Sequence, residues 1–291
     1  MYAKRFGRWT EVVGRMGARG RLPAVPPPTR RRPPPPPPPR PAPHPKSGNA
    51  PELKIAGANA CRALWQKRPD DVRRVYVTEE NVARFGDVLK ECARRRIAYH
   101  VKTSADLDQV AETVHHDGVL FLARVLPVKR PADVVAWASR TPGPAALVLL
   151  EDVKNPHNLG AILRVCAHFG VPFVLAAGET PGLSPAAMRT AEGGAEHCAV
   201  VPCGSGLEVL ETLRALGFVV VATSSHTDKS VMAELPPRAI VMFGSEGEGL
   251  SRRLLDRAAL QVKIPGSGAL ESLNVACASS VVLWELWRRR G

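Results

Sequence analysis

Residues 145–164 read AALVLLEDVKNPHNLGAILR, an apolar run, a polar loop and then helical spacing. The run 145–150 has the length and the Val/Leu content of a buried strand. Pro156 biases Asn155 towards extended backbone. Asn158 is expected to cap a helix over 158–169 with Ile162, Leu163, Cys166 and Phe169 on its buried face. Gly160 leaves the first turn uncovered, and Arg164 projects from the helix near the strand end. The alternation continues downstream. Strands are expected at 172–177, 198–202, 218–223, 239–244 and 259–264, and helices at 184–192, 205–216, 250–257 and 273–289. Ser205 and Glu208 form an S-x-x-E capping box for the helix 205–216. Apolar strands alternating with helices specify an α/β fold over residues 144–291, with a mostly parallel sheet covered on both faces. Ligands of such sheets sit beyond the carboxyl ends of the strands.

Upstream, helices are expected at 59–67, 82–96 and 104–114, and strands at 73–78, 97–101 and 118–125. They make a small α/β domain over 51–126, joined by a linker at 127–143 that holds one short helix. His115, His116 and Asp117 read as a turn before the strand at Gly118 rather than as metal ligands. Residues 1–50 are different in kind. Seven consecutive prolines at 33–39 make a polyproline II rod of roughly 22 Å, which cannot pack a core. The expectation is a disordered, basic, proline-rich tail.

That tail holds eleven Lys or Arg against one acidic residue, Glu11, and so carries +10 of the formal +13. The remaining residues share only +3, so the body is mildly basic. The Arg-rich, acid-poor start resembles a mitochondrial transit peptide, a reading that competes with a basic nucleic-acid tail and with a start codon assigned too far upstream. No apolar run reaches membrane-spanning length. The six cysteines form no CxxC pair and no zinc spacing, and are expected as buried free thiols of a reducing compartment, the cytoplasm.

Three polar loops follow three of the strands. The first is the opening one. In the second, FGSEGEGL at 243–250, three glycines allow close backbone approach to a ligand. Its G-x-x-G-x-G order and late position fit neither a dinucleotide fingerprint nor a phosphate loop, and Glu246 would repel phosphates. The third, IPGSGALESLNV at 264–275, ends a strand at Pro265 and is expected to open the last helix at Ser272.

N-x-G-A-x-x-R (158–164), G-x-E-x-x-G-L (244–250) and I-P…S-L-N-V (264–275), in this order, resemble the three motifs of SpoU-type RNA 2′-O-ribose methyltransferases of the SPOUT class. Residues 51–126 are similar to the L30e-like substrate-binding domain that often precedes that domain. The resemblance implies a C-terminal deep trefoil knot, an exception to the rule against knots. It implies S-adenosylmethionine held near Thr223, Gly244, Ile264 and Leu273, and a homodimer whose active site draws on both subunits. It further implies methyl transfer to a ribose 2′-hydroxyl of tRNA or rRNA without a metal. Arg164 would be the activator, with Asn158, Glu246, Ser272 and Asn274 as the other catalytic residues. Basic clusters at 94–96, 288–290 and Lys67–Arg68 are candidate phosphate contacts. Two alternatives remain: a non-catalytic RNA-binding protein retaining the knotted scaffold, and a nucleotide-dependent oxidoreductase.

Overall fold

The computed structural model describes residues 52–232 and 235–289. The tail 1–50 and Arg290 lie outside the described residues. The first half contains β1 (Glu52–Ala56), α1 (Ala58–Lys67), β2 (Val72–Thr78), α2 (Glu79–Val82), α3 (Gly86–Arg95), β3 (Ala98–Lys102), α4 (Ser104–Ala111) and β4 (Val119–Arg124). Its sheet runs β1-β4-β2-β3, with β4 antiparallel to both neighbours and β2 parallel to β3. Strand β1 was not expected from the sequence. The helix expected over 82–96 is split, because Phe85 turns inward between α2 and α3 and is fully buried there. The helix expected to reach 114 stops at Ala111, where Glu112 adopts a left-handed φ of 57°.

Then come α5 (Pro131–Arg140), β5 (Ala145–Glu151), α6 (Pro156–His168), β6 (Phe173–Ala177), α7 (Pro185–Thr190), β7 (Ala199–Pro202), α8 (Leu207–Ala215), β8 (Val219–Thr223), β9 (Arg238–Phe243), α9 (Arg252–Leu255), β10 (Leu260–Val262) and α10 (Val275–Arg288). The six strands are all parallel, in the order β10-β8-β9-β5-β6-β7. Alternate residues of each strand enter different cores. Val148, Leu150, Val174, Val241 and Phe243 pack with Ile162 of α6 and Leu283 of α10. Leu147, Leu149, Leu175, Ile240 and Met242 pack with Val134 of α5 and Leu210 of α8. Burying each such side chain contributes about 1.5–3 kcal/mol, and residues apolar on both faces are what a sheet covered by two helical layers requires.

Helix α5 therefore belongs to the core of the second sheet, although the sequence places it in a linker. Arg238 fixes its end. The guanidinium donates to the carbonyls of Ala138 (2.8 Å), Thr141 (2.6 Å), Gly143 (3.0 Å) and Leu216 (3.1 Å). The two sheets sit in one compact unit. Arg68, just past α1, makes a two-pronged ion pair with the buried Glu196, Nε to Oε2 at 2.8 Å and Nη2 to Oε1 at 2.9 Å.

Three helix starts differ from expectation. The helix α6 is capped by Asn155, with Pro156 at its first position, where a missing N–H costs nothing. The expected box of Ser205 and Glu208 does not form, because Gly206 turns the chain at φ 75° and Leu207 begins α8. The last helix is capped by Asn274 rather than Ser272. Of the cysteines expected to be buried, Cys277 is exposed and Cys203 is half-buried.

Candidate functional site

The carboxyl ends of β5, β8, β9 and β10 lie at one end of the parallel sheet, and the three polar loops meet there. In the first loop the two asparagines divide the work. Asn155 Oδ1 accepts from His157 N at 2.9 Å and satisfies the helix start. Asn158, expected as the cap, is one turn inside α6 and has its amide free to reach across. It donates from Nδ2 to Glu246 Oε1 at 2.9 Å.

The second loop closes on itself. Gly249 N donates to Ser245 O at 3.1 Å, and Gly247 and Gly249 take φ of 99° and 72°. A Cβ at Gly244 would overlap the backbone of Gly249 and Leu250. The three glycines thus hold a tight turn that carries Glu246 at its tip. The third loop supplies Asn274, whose Nδ2 donates to Glu246 Oε1 at 2.8 Å and to Asn158 Oδ1 at 3.0 Å. Its Oδ1 accepts from Ala276 N (2.9 Å) and Cys277 N (3.3 Å), which caps α10. One carboxylate oxygen therefore collects residues 88 and 28 positions away.

Arg164 does not join this junction. Six residues separate it from Asn158, which is about 9 Å along the helix and about 120° around it. Its side chain is exposed. Ser272 and Leu273 are exposed beside Asn274. Thr223 ends β8 and donates from Oγ1 to Met242 O at 2.9 Å, which ties it to the strand leading into Gly244. Ile264, two residues past β10, is half-buried.

Several further residues at this site stand outside the three motifs. Glu151 Oε2 accepts from Ser251 N at 2.7 Å and anchors the far side of the glycine loop. An acidic residue closing an apolar strand is a weak signal of such a role. Asp152, Lys154, Asn155, Glu179 and Glu248 line, with Asn158 and Glu246, a cleft of about 610 Å³. Lys154 pairs with Glu179, whose hydrogen bond holds the ammonium above its ordinary pKa.

Helix α6 is pinned by close backbone approach. A Cβ at Gly160 would stand 2.5 Å from Ala187 O, and one at Gly194 would stand 2.8 Å from Leu163 O. The glycine expected to expose a turn is in fact where α7 presses against α6. On the outer side of α6 and α10, His168, Phe169, Trp284 and Trp287 form an aromatic group. The two indoles stack at 5.6 Å and are each about half exposed.

The SpoU rRNA Methylase family matches residues 145–284, and the family described as RNA 2′-O ribose methyltransferase substrate binding matches residues 54–127. An uncharacterized tRNA/rRNA methyltransferase of Escherichia coli O157:H7 is 39% identical over 82% of this chain and 69% of its own length. A 23S rRNA (guanosine-2′-O-)-methyltransferase of Pseudomonas putida is 30% identical over 81% of this chain and 96% of its own. The crystal structure of an RNA 2′-O ribose methyltransferase superposes with a TM-score of 0.67 and 26% identity, covering 82% of this chain and 89% of that one. The family matches, the sequence identity and the superposed fold agree, and the chain belongs to the SpoU family of RNA methylases.

Proposed function

We propose that the chain transfers the methyl group of S-adenosylmethionine to a ribose 2′-hydroxyl of rRNA or tRNA, beside the junction of Asn158, Glu246 and Asn274. The observation that carries this reading is the convergence of three sequence-distant loops on one carboxylate oxygen. A ribose hydroxyl is a poor nucleophile at neutral pH. It needs positioning, and a group that takes its proton or offsets its developing charge. Glu246 orients the two asparagine amides towards the ribose, and Ser272 adds a hydroxyl beside them. The guanidinium of Arg164 serves to neutralise the developing oxyanion and to anchor a neighbouring phosphate.

S-adenosylmethionine, when bound, supplies an electrophilic methyl carbon. Thr223, Gly244, Ile264 and Leu273 would hold it, and their surroundings fit. Leu270 and Leu273 are 83% and 51% exposed at this loop cluster. They offer apolar cover for an adenosine, and the glycine loop offers backbone donors and acceptors without a polyphosphate cradle.

The chain acts as a homodimer with composite sites. Arg164 points away from its own Asn158 and stands one turn before His168, bordering the exposed aromatic group of α6 and α10. A two-fold partner covering that face brings each Arg164 towards the other subunit's junction. The last segment forms a trefoil knot. Strand β10 lies at the sheet edge beyond β8, yet α10 packs on α6, so residues 263–274 cross the ends of β8 and β9 where the glycine loop stands. The organisation is a substrate-binding domain at 51–126 and a methyltransferase domain at 144–291, with α5 of the intervening segment 127–143 packed into the core of the latter. The basic tail at 1–50 adds salt-sensitive RNA affinity. Among the described residues no helix is long and apolar enough to cross a membrane, and the cytoplasm is the compartment this reading assigns.

Calorimetry with S-adenosylmethionine, and NADH as control, tests the proposal together with mapping of 2′-O-methylated riboses in RNA from cells lacking the protein. The expected result is micromolar binding of one S-adenosylmethionine per chain and loss of a ribose methyl in those cells. Arg164→Ala should bind the donor within a few fold of wild type and lose turnover. A folded protein that binds no donor and methylates no RNA would instead be a non-catalytic RNA-binding protein.

A further inference from the structure

The first sheet has one uncovered corner. Strand β3 is an edge strand, paired only with β2, and Ala98, Tyr99, His100 and Val101 are all exposed. Register sets Ala98 beside Arg74, His100 beside Tyr76 and Lys102 beside Thr78. Side chains alternate between faces, so Arg74, Tyr76, His100 and Lys102 share one face. There the His100 ring stacks on Tyr76, with centroids 5.2 Å apart and planes 23° from parallel. Arg74 Nη1 donates to Tyr76 Oη at 3.3 Å. Tyr76 is buried and held by Leu107, Leu120 and Leu122. His100 is therefore a flat ring with one side fixed on a buried aromatic and the other open to solvent. Partial burial and the adjacent Arg74 and Lys102 push its pKa below the ordinary imidazole value, which favours the uncharged ring. Arg74 is exposed on one side of it, with Lys102 on the other.

We infer that this corner, His100 on Tyr76 flanked by Arg74 and Lys102, is a stacking platform for an unpaired base of the substrate RNA, with the two cations on adjoining phosphates. The inference rests on the RNA reading above. A neutral ring stacked on a rigid aromatic presents a face to any base, and an edge strand leaves room for a single strand to pass. A base inside a duplex has no free face to offer, so the platform takes loops and single-stranded segments.

The test uses the full chain and a labelled 12-nucleotide oligouridylate carrying 4-thiouridine, with a hairpin duplex for comparison. Salt near 0.3 M suppresses the contribution of the basic tail. His100→Ala should weaken oligonucleotide binding about tenfold, and His100→Phe should restore it to within about twofold. Arg74→Ala/Lys102→Ala should lower the salt slope by about 1.4, two contacts at about 0.7 each. Irradiation should attach thiouridine to the segment containing Tyr99 and His100. Wild-type affinity in His100→Ala, duplex preferred over single strand, or adducts only elsewhere would each overturn the platform. Binding of S-adenosylmethionine is measured on the same samples. Donor binding with unchanged oligonucleotide affinity refutes the platform alone, whereas absent donor binding refutes the methyltransferase reading.

Discussion

Asn274 is the residue at which local structure and the proposed chemistry can be separated by measurement. Its Oδ1 caps α10, and its Nδ2 bridges Glu246 and Asn158. Truncation to alanine removes both functions. Loss of an N-cap costs about 1 kcal/mol, and two hydrogen bonds between solvent-accessible side chains add about 0.5 kcal/mol each. The sum is about 2 kcal/mol, which lowers the Tm of a chain this size by about 4–8 °C. Asn274→Ser keeps a good capping oxygen and deletes only the bridge, so its Tm should fall by about half as much. Asn274→Asp also keeps the cap, but it sets a second carboxylate against Glu246. Methyl transfer, measured as kcat/KM on the RNA substrate well below each Tm, should drop at least tenfold in all three. A serine variant with wild-type kcat/KM would show that the bridge is only a structural staple.

Gly244→Ala should leave the sheet folded but weaken S-adenosylmethionine binding by calorimetry at least tenfold, because the new Cβ would overlap Gly249. Gly266→Ala, where a Cβ meets nothing within 4 Å, should leave Tm unchanged. Glu196→Gln should cost about 3 kcal/mol in denaturant unfolding, since it strips a partner from a buried ion pair; an Arg68→Met/Glu196→Met double variant should recover most of that loss. At pH 8 a thiol reagent should react quickly with Cys277 only, because Cys277 is exposed. Burial pushes Cys203 and Cys92 up to about 11, so both stay protonated well above pH 8 and gain reactivity only as pH approaches that value; rapid labelling of either in the folded protein would contradict their burial.

The parallel sheet was readable because strands buried on both faces carry near-continuous apolar runs, and 145–150 and 239–243 are such runs. The short flanking helices were misjudged where a left-handed glycine, as at 206, or a buried wedge, as at Phe85, overrides local propensity. Of the site, Asn158, Glu246 and Asn274 were legible as residues but not in their roles. Asn155 and Asn158 are equally good caps by type, and only the proline between them settles where α6 begins. Glu151 had only its place at the end of an apolar strand to mark it, and Lys154 and Glu179 had no pattern at all, because these contacts are made across loops far apart in sequence. Strand β1 was invisible because the residues it pairs with on β4 lie 64 to 72 positions away in chain order, and two of its own five residues are charged.

Helix α6, clamped by Gly160 and Gly194, keeps Asn158 and Arg164 on different sides and at a fixed separation. In the two-fold dimer proposed above, each copy of the helix would serve two sites at once, its own through Asn158 and its neighbour's through Arg164. Defects at these two positions are therefore distributed unequally when chains are mixed. A pairing of Asn158→Ala with Arg164→Ala chains loads both lesions into one site and leaves the other whole. Equal mixing of two dead proteins would restore roughly a quarter of the activity, from the half of the dimers that are mixed.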